Sequence, residues 1–85
     1  MSWIWGFTKK SEKQFKKLDN QIKDRVIDKL DFWCKSGAPV IFAESLHDFD
    51  LGSYRFRVGD YRVTFDVEDE TIVVLAVGHR KDIYK

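Results

Sequence analysis

The fifteen residues from Ser53 to Val67 constrain this chain more than any other stretch. Tyr54, Phe56 and Val58, then Tyr61, Val63, Phe65 and Val67, place an apolar side chain at every second position. Ser53, Arg55, Arg57, Arg62, Thr64 and Asp66 fill the alternate places. A period of two sends the two sets to opposite faces of a β-strand. Gly59-Asp60 breaks the pattern at its middle, and such a pair between alternating runs signals a two-residue hairpin. Cross-strand partners in that hairpin have residue numbers that sum to 119. Arg57 then opposes Arg62 and Arg55 opposes Thr64 on one face. Tyr54 opposes Phe65 and Phe56 opposes Val63 on the other.

A hairpin with one apolar face needs a cover, and the segment before it supplies one. Ile22, Val26, Ile27, Leu30, Trp33 and Cys34 recur at helical spacing. The helix they predict starts at an Asp19 or Asn20 cap and ends near Lys35, before Gly37 and Pro39. Thr8 caps a first helix from about Lys9 to Leu18, with Phe15 and Leu18 inward. With almost no loop between them, the two form a helical hairpin. Trp3, Ile4, Trp5 and Phe7 predict an edge strand, and residues 37–50 a loop. Residues 68–70 predict a turn, residues 71–77 a central strand apolar on both faces, and Gly78 the start of a short tail. The expected architecture is a single α+β domain over residues 1–85, ordered β-α-α-β-β-β. Its helical hairpin packs on one face of a mostly antiparallel four-stranded sheet.

At 85 residues there is length for one core only. Cys34 is the only cysteine, so no internal disulfide can form and a reducing cytoplasm is the expected home. Nothing reads as a signal peptide, and no run approaches the ~20 apolar residues of a membrane span. The formal net charge is +1, which taken whole argues against a nucleic-acid binder. Its distribution does not. Residues 1–35 carry nine basic and five acidic side chains, Glu44, Asp48 and Asp50 are acidic, and Arg55, Arg57 and Arg62 turn the chain basic again. Asp66, Glu68, Asp69 and Glu70 then precede Arg80, Lys81 and Lys85. Such alternation predicts separate basic and acidic faces.

Like charges directly opposed on a sheet repel. A chain that sets Arg57 against Arg62 either splays them into water or holds an anion between them. Outward strand positions are polar in any case, and that plainer reading stays open. Two features favour the anion. The basic positions are all arginine, whose planar fork matches phosphate, and His79-Arg80-Lys81 follows the last strand. His79 is either a proton acceptor in this cluster or a strand-end residue bonded to backbone. Tyr84 either anchors the tail or stacks on a base. Lys9, Lys10, Lys13, Lys16 and Lys17 make a basic helix face, solvated or touching RNA without sequence choice. Two histidines and one cysteine at unrelated spacings make no metal-ligand set, and no cofactor is signalled.

The run Tyr54-Arg55-Phe56-Arg57-Val58-Gly59-Asp60-Tyr61-Arg62, followed by Val77-Gly78-His79-Arg80-Lys81-Asp82-Ile83-Tyr84, resembles the RelE/ParE superfamily of bacterial and archaeal toxins, most of all its RelE branch. Leu46 and the Phe15…Leu18 pattern agree, and the likeness spans the whole chain. The resemblance implies the toxin of a type II toxin–antitoxin system, a ribosome-dependent endoribonuclease acting on messenger RNA. The implied reaction is attack of the 2′-hydroxyl on the adjacent phosphate, leaving a 2′,3′-cyclic phosphate and a 5′-hydroxyl. By resemblance, Arg55 and Arg57 stand at the basic positions before the turn, Arg62 and Arg80 grip phosphate, and Tyr84 stacks on RNA. Lys81, Lys9, Lys10 and Lys13 are the further RNA contacts expected. Where relatives often carry lysine, arginine cannot usefully lose its proton, which leaves His79, the preferred base, or Tyr84 for proton transfer, or positioning alone. The expected partners are a RelB-like antitoxin, the ribosome and mRNA. The alternatives are a ParE-like toxin that poisons DNA gyrase and a catalytically silent antitoxin-binding member.

Overall fold

The computed structural model describes residues 2–84. Along the chain run β1 (Ile4–Phe7), α1 (Lys9–Lys16), α2 (Asn20–Lys35), a 3-10 turn (Pro39–Phe42), β2 (Glu44–Asp48), β3 (Gly52–Val58), β4 (Tyr61–Glu68), β5 (Thr71–His79) and a short α3 (Arg80–Ile83). The hairpin of β3 and β4 has the register expected from its turn. Tyr54 pairs with Phe65, Arg55 with Thr64, Phe56 with Val63 and Arg57 with Arg62. Gly59 takes a positive φ of 60°, a conformation that glycine reaches without a Cβ penalty.

The sheet has five strands, in the order β1-β5-β4-β3-β2, rather than the four expected. The added strand is β2, which falls inside the presumed loop of residues 37–50. Glu44 pairs with Arg55 and Ser45 with Tyr54, and after a bulge Asp48 pairs with Gly52. Only Leu46 in β2 is even partly buried. An edge strand wet on both faces has no hydrophobic period to reveal it, and its ladder bonds to β3 define it instead. The second departure is that β1 joins β5 in parallel, from Ile4 opposite Thr71 to Phe7 opposite Val74. The sheet is therefore mixed.

Phe56, Val63, Phe65, Ile72 and Val74 are fully buried on the face covered by α2, where Val26 and Leu30 meet them. A ladder of rings runs through this core. Trp33 stacks on Phe56 at 3.9 Å, Phe56 on Phe65 at 4.4 Å and Phe65 on Tyr54 at 5.4 Å between centroids. Asp19 caps α2 by accepting from the Ile22 N–H at 3.0 Å. Thr8 caps α1 through the Ser11 N–H.

Beyond the four residues of β1, α1 guards the margin of β5. The fully buried Ser11 donates its hydroxyl to the Val74 carbonyl at 2.7 Å, and Gln14 Oε1 accepts from the Val77 N–H at 3.0 Å. Side chains of a helix thus satisfy strand groups that would otherwise be an open edge.

The two ends of the sheet differ in charge. The β3–β4 turn carries Arg57 and Arg62, and Arg80 joins them because its N–H donates to the Asp60 carbonyl at 2.8 Å. At the far end lie the β2–β3 and β4–β5 turns, with Asp48, Asp50, Asp66, Glu68, Asp69 and Glu70. There Asp66 accepts from the Ser53 N–H at 2.8 Å, and Asp48 from the N–H groups of Asp50 and Leu51. No helix among the described residues is long and apolar enough to cross a membrane.

Cys34 is buried in α2 beside Asp31. Burial, and secondarily the Asp31 carboxylate, push its thiol pKa up. The reactive thiolate is correspondingly scarce. Native protein at neutral pH should resist iodoacetamide, while urea-unfolded protein is alkylated readily. Because the folded pKa is raised, the associated stability is present below the thiol's ordinary pKa and is lost as pH rises through the folded value. Equal alkylation rates in the two states would contradict this placement.

Candidate functional site

Strand pairing, a turn and a helix bring distant arginines together. Arg55 and Arg57 project from β3 on the face away from the core, and Arg62 from β4 lies directly opposite Arg57. The next residue in that row is Gly78 of β5, where an added Cβ would meet nothing within 4 Å. The row therefore ends in open space. After β5 the chain folds into α3, which sets Arg80, Lys81 and Tyr84 beside the strands. An open cleft results, lined by Arg55, Arg57, Arg62, Arg80, Lys81 and Tyr84.

Each cation is held differently. Arg62 is 7% exposed and folds over the hairpin turn, its Nη1 donating to the carbonyls of Gly59 and Tyr61, each at 2.9 Å. Main-chain acceptors orient it without removing its charge. Arg80 Nε lies 3.6 Å from Asp60 Oδ1. Arg55 Nη1 donates to the Tyr84 hydroxyl at 3.0 Å, and its guanidinium carbon sits 5.6 Å from that ring's centroid. The hydrogen bond to Tyr84 pushes the Arg55 pKa up; burial opposes it, and Glu44 adds a lesser upward push. Arg55 is thus a permanent cation. Five cations line the cleft, and the ion bridges seen among the described residues tie Glu44 to Arg55 and Arg57 and Asp60 to Arg80. The surplus positive charge, preorganised and partly dry, suits a phosphate group.

His79 is the expected site residue that the structure sets apart. It pairs with Tyr61, so its ring lies on the Tyr61 face, 5.4 Å from that ring and edge-on. Its Nδ1 accepts from the Lys81 N–H at 3.1 Å and caps α3. It lines a separate groove with Lys17, Leu18 and Tyr61.

A family model described as the ParE toxin of type II toxin–antitoxin systems, parDE, matches residues 6–84. The chain belongs to the RelE/ParE superfamily of toxins. Over its full length it is 32% identical to toxin RelG of Mycobacterium tuberculosis, covering 99% of that protein. A 31-residue stretch is 52% identical to toxin RelE3 of Methanocaldococcus jannaschii, covering 36% of this chain and 35% of that one. The RelB–RelE antitoxin–toxin complex from Methanococcus jannaschii superposes with a TM-score of 0.71 at 28% identity, over 92% of this chain and 93% of the other. The RelBE2 toxin–antitoxin complex of M. tuberculosis shares the fold at a TM-score of 0.79 and 24% identity, over 94% and 100% of the two chains.

In this RelE/ParE toxin, Lys10 lines a second groove with Asp48, Asp50 and Tyr84, the last of which it shares with the arginine cleft. Lys9 is exposed in the first turn of α1, and Lys13 in its last. None of the three lines the cleft, whereas Lys81 does. Glu44 is the member that residue patterns missed. Its Oε1 lies 3.2 Å from Arg55 Nε and 3.4 Å from Arg57 Nε. Its place follows from the β2–β3 pairing, and an edge strand without a period leaves no trace of that pairing in the residue pattern.

Proposed function

We propose that this toxin is a metal-independent endoribonuclease that cleaves ribosome-bound mRNA. The observation that carries this reading is the cleft itself: Arg55, Arg57, Arg62, Arg80, Lys81 and Tyr84 line one open site. The 2′-hydroxyl oxygen attacks the adjacent phosphorus and the bond to the 5′-oxygen breaks. A 2′,3′-cyclic phosphate and a 5′-hydroxyl are left. Negative charge grows on the phosphorane oxygens, and guanidinium groups already in place stabilise it without reorganising. Holding the 2′-oxygen in line with the leaving oxygen adds to the rate. Of the two groups expected from the residue pattern to transfer a proton, His79 faces the other side of the sheet and Tyr84 lines the cleft. We assign Tyr84 the relay of the 2′-hydroxyl proton toward solvent and the leaving oxygen, with its ring as a stacking surface.

Tyr84→Phe keeps the ring and removes the hydroxyl. Cleavage by this variant should slow ~100-fold, a typical loss for a missing proton-transfer group, while RNA affinity stays close to that of the wild type. Unchanged cleavage would return Tyr84 to stacking alone.

The partner we infer is an antitoxin of the RelB kind, because the solved relatives include RelB–RelE complexes. The ParE description of the matching family favours one other reading, a non-nuclease toxin acting on DNA gyrase. Primer-extension mapping of messages after brief expression separates the two. New 5′ ends that vanish with Arg62→Ala support the nuclease. Intact messages with broken chromosomal DNA support the gyrase poison, and growth arrest with neither would sink both.

A further inference from the structure

One carboxylate in the site has no part in stabilising phosphorane charge, and its geometry is specific. Glu44 Oε1 is shared between Arg55 Nε at 3.2 Å and Arg57 Nε at 3.4 Å. We propose that Glu44 is a positioning residue that braces both arginines by their Nε edges, turning their Nη groups, and Tyr84 through Arg55, toward the scissile phosphodiester. The role presupposes the nuclease activity proposed above.

Arg55 and Arg57 are like charges two positions apart on one face of β3, and would repel if left alone. A carboxylate between them offsets that repulsion and fixes their side chains together. Both contacts are made at Nε, so neither bridge uses the two amino ends of a guanidinium fork. On Arg55 one amino end, Nη1, goes on to donate to the Tyr84 hydroxyl at 3.0 Å. A continuous link therefore runs from β2 through Glu44 and Arg55 to Tyr84 beyond α3. Glu44 stands directly opposite Arg55 in the β2–β3 ladder, just ahead of the bulge. Backbone pairing, not a flexible loop, sets where its carboxylate reaches.

The side chains of Glu44 and Arg55 are 46% and 29% exposed, and so open a pair contributes little to folding. For binding, a negative charge beside RNA is unfavourable. Removing it should therefore move two quantities in opposite directions. Affinity for message rises while turnover falls, because released arginines and Tyr84 no longer hold the reacting geometry.

The test is steady-state cleavage of message on programmed ribosomes by the full chain. Glu44→Ala should show a lower KM and a kcat reduced ~100-fold, the scale of an ångström-level misplacement. Glu44→Gln should recover most of that loss, since its amide oxygen still accepts from Arg55 Nε. An unchanged kcat in Glu44→Ala overturns the brace. So does Glu44→Gln as slow as Glu44→Ala, because the carboxylate would then be acting as a proton acceptor. The brace also has a readout without turnover: the Arg55 Nε–H nuclear magnetic resonance signal should shift and exchange faster in Glu44→Ala, and an unmoved signal overturns it. Equal cleavage by wild type and Arg62→Ala would sink the nuclease reading alone and leave that resonance to judge Glu44.

Discussion

Arg62→Ala should cleave ribosome-bound message ~100- to 1000-fold more slowly than the wild-type chain, the usual cost of one preorganised donor to developing charge. Arg62 is the cation best prepared for this role. Its Nη1 is tied to the Gly59 and Tyr61 carbonyls, and it is nearly buried at the cleft's floor. It need not be ordered when the phosphorane forms. The opposing Arg57 keeps 62% of its side chain exposed and is held at its Nε by Glu44 rather than by main-chain acceptors. Stability should change far less than rate. The variant loses hydrogen bonds from Nη1, each worth ~0.5–1.5 kcal/mol, but also relieves the repulsion across the Arg57–Arg62 pair. Arg62→Lys separates charge from shape: lysine keeps the charge and loses the planar fork, so a rate between wild type and alanine is expected. Thermal melts run beside the cleavage assay would expose any loss of rate that is merely unfolding.

Phe56→Ala should cost ~3–5 kcal/mol of folding stability. Phe56 is fully buried between Trp33 and Phe65, at 3.9 and 4.4 Å between centroids. Collapse around the vacancy is limited, since rings wall it on both sides. A domain of this size has roughly 5–15 kcal/mol in total, so the variant should be partly unfolded at growth temperature. Urea titration followed by tryptophan fluorescence gives the number, with Trp33 reporting directly on the missing ring. Phe49→Ala is the matching control. Phe49 is fully exposed and should leave the urea midpoint where it was. A Phe56→Ala midpoint equally unmoved would mean that this aromatic ladder is not the core.

Different parts of the structure were legible to different degrees, for physical reasons. The β3–β4 register could be read because Gly59-Asp60 fixes the turn and a period of two fixes the faces. Both helices could be read because Val26, Leu30 and Trp33 bury one side of α2 and Thr8 and Asp19 cap the starts. β2 could not, because Glu44, Ser45, His47 and Asp48 are all exposed and backbone hydrogen bonds alone make it a strand. Nor could the parallel union of β1 with β5, which joins residues more than sixty positions apart with no turn between them. Arg55, Arg57 and Arg62 were recoverable from the hairpin alone, whereas Arg80 reaches them only through the β4–β5 pairing and its bond to Asp60. His79 was not: residues 71–77 are apolar on both faces, so residue patterns left the β4–β5 register open. That register, with Tyr61 opposite His79, decides which way the imidazole faces.

The separation of charge between the two ends of the sheet has a consequence beyond the cleft. A body with a formal net charge of +1 gains little attraction from a distant polyanion. Its permanent dipole still feels a torque. Near a phosphate-rich surface the arginine end is drawn in while the turns holding Asp48, Asp66 and Glu68 swing outward, so encounters become aligned before contact. The alignment reaches about one Debye length, ~10 Å at 0.1 M salt. Added salt should therefore act on the protein's orientation at arrival more than on how often it arrives.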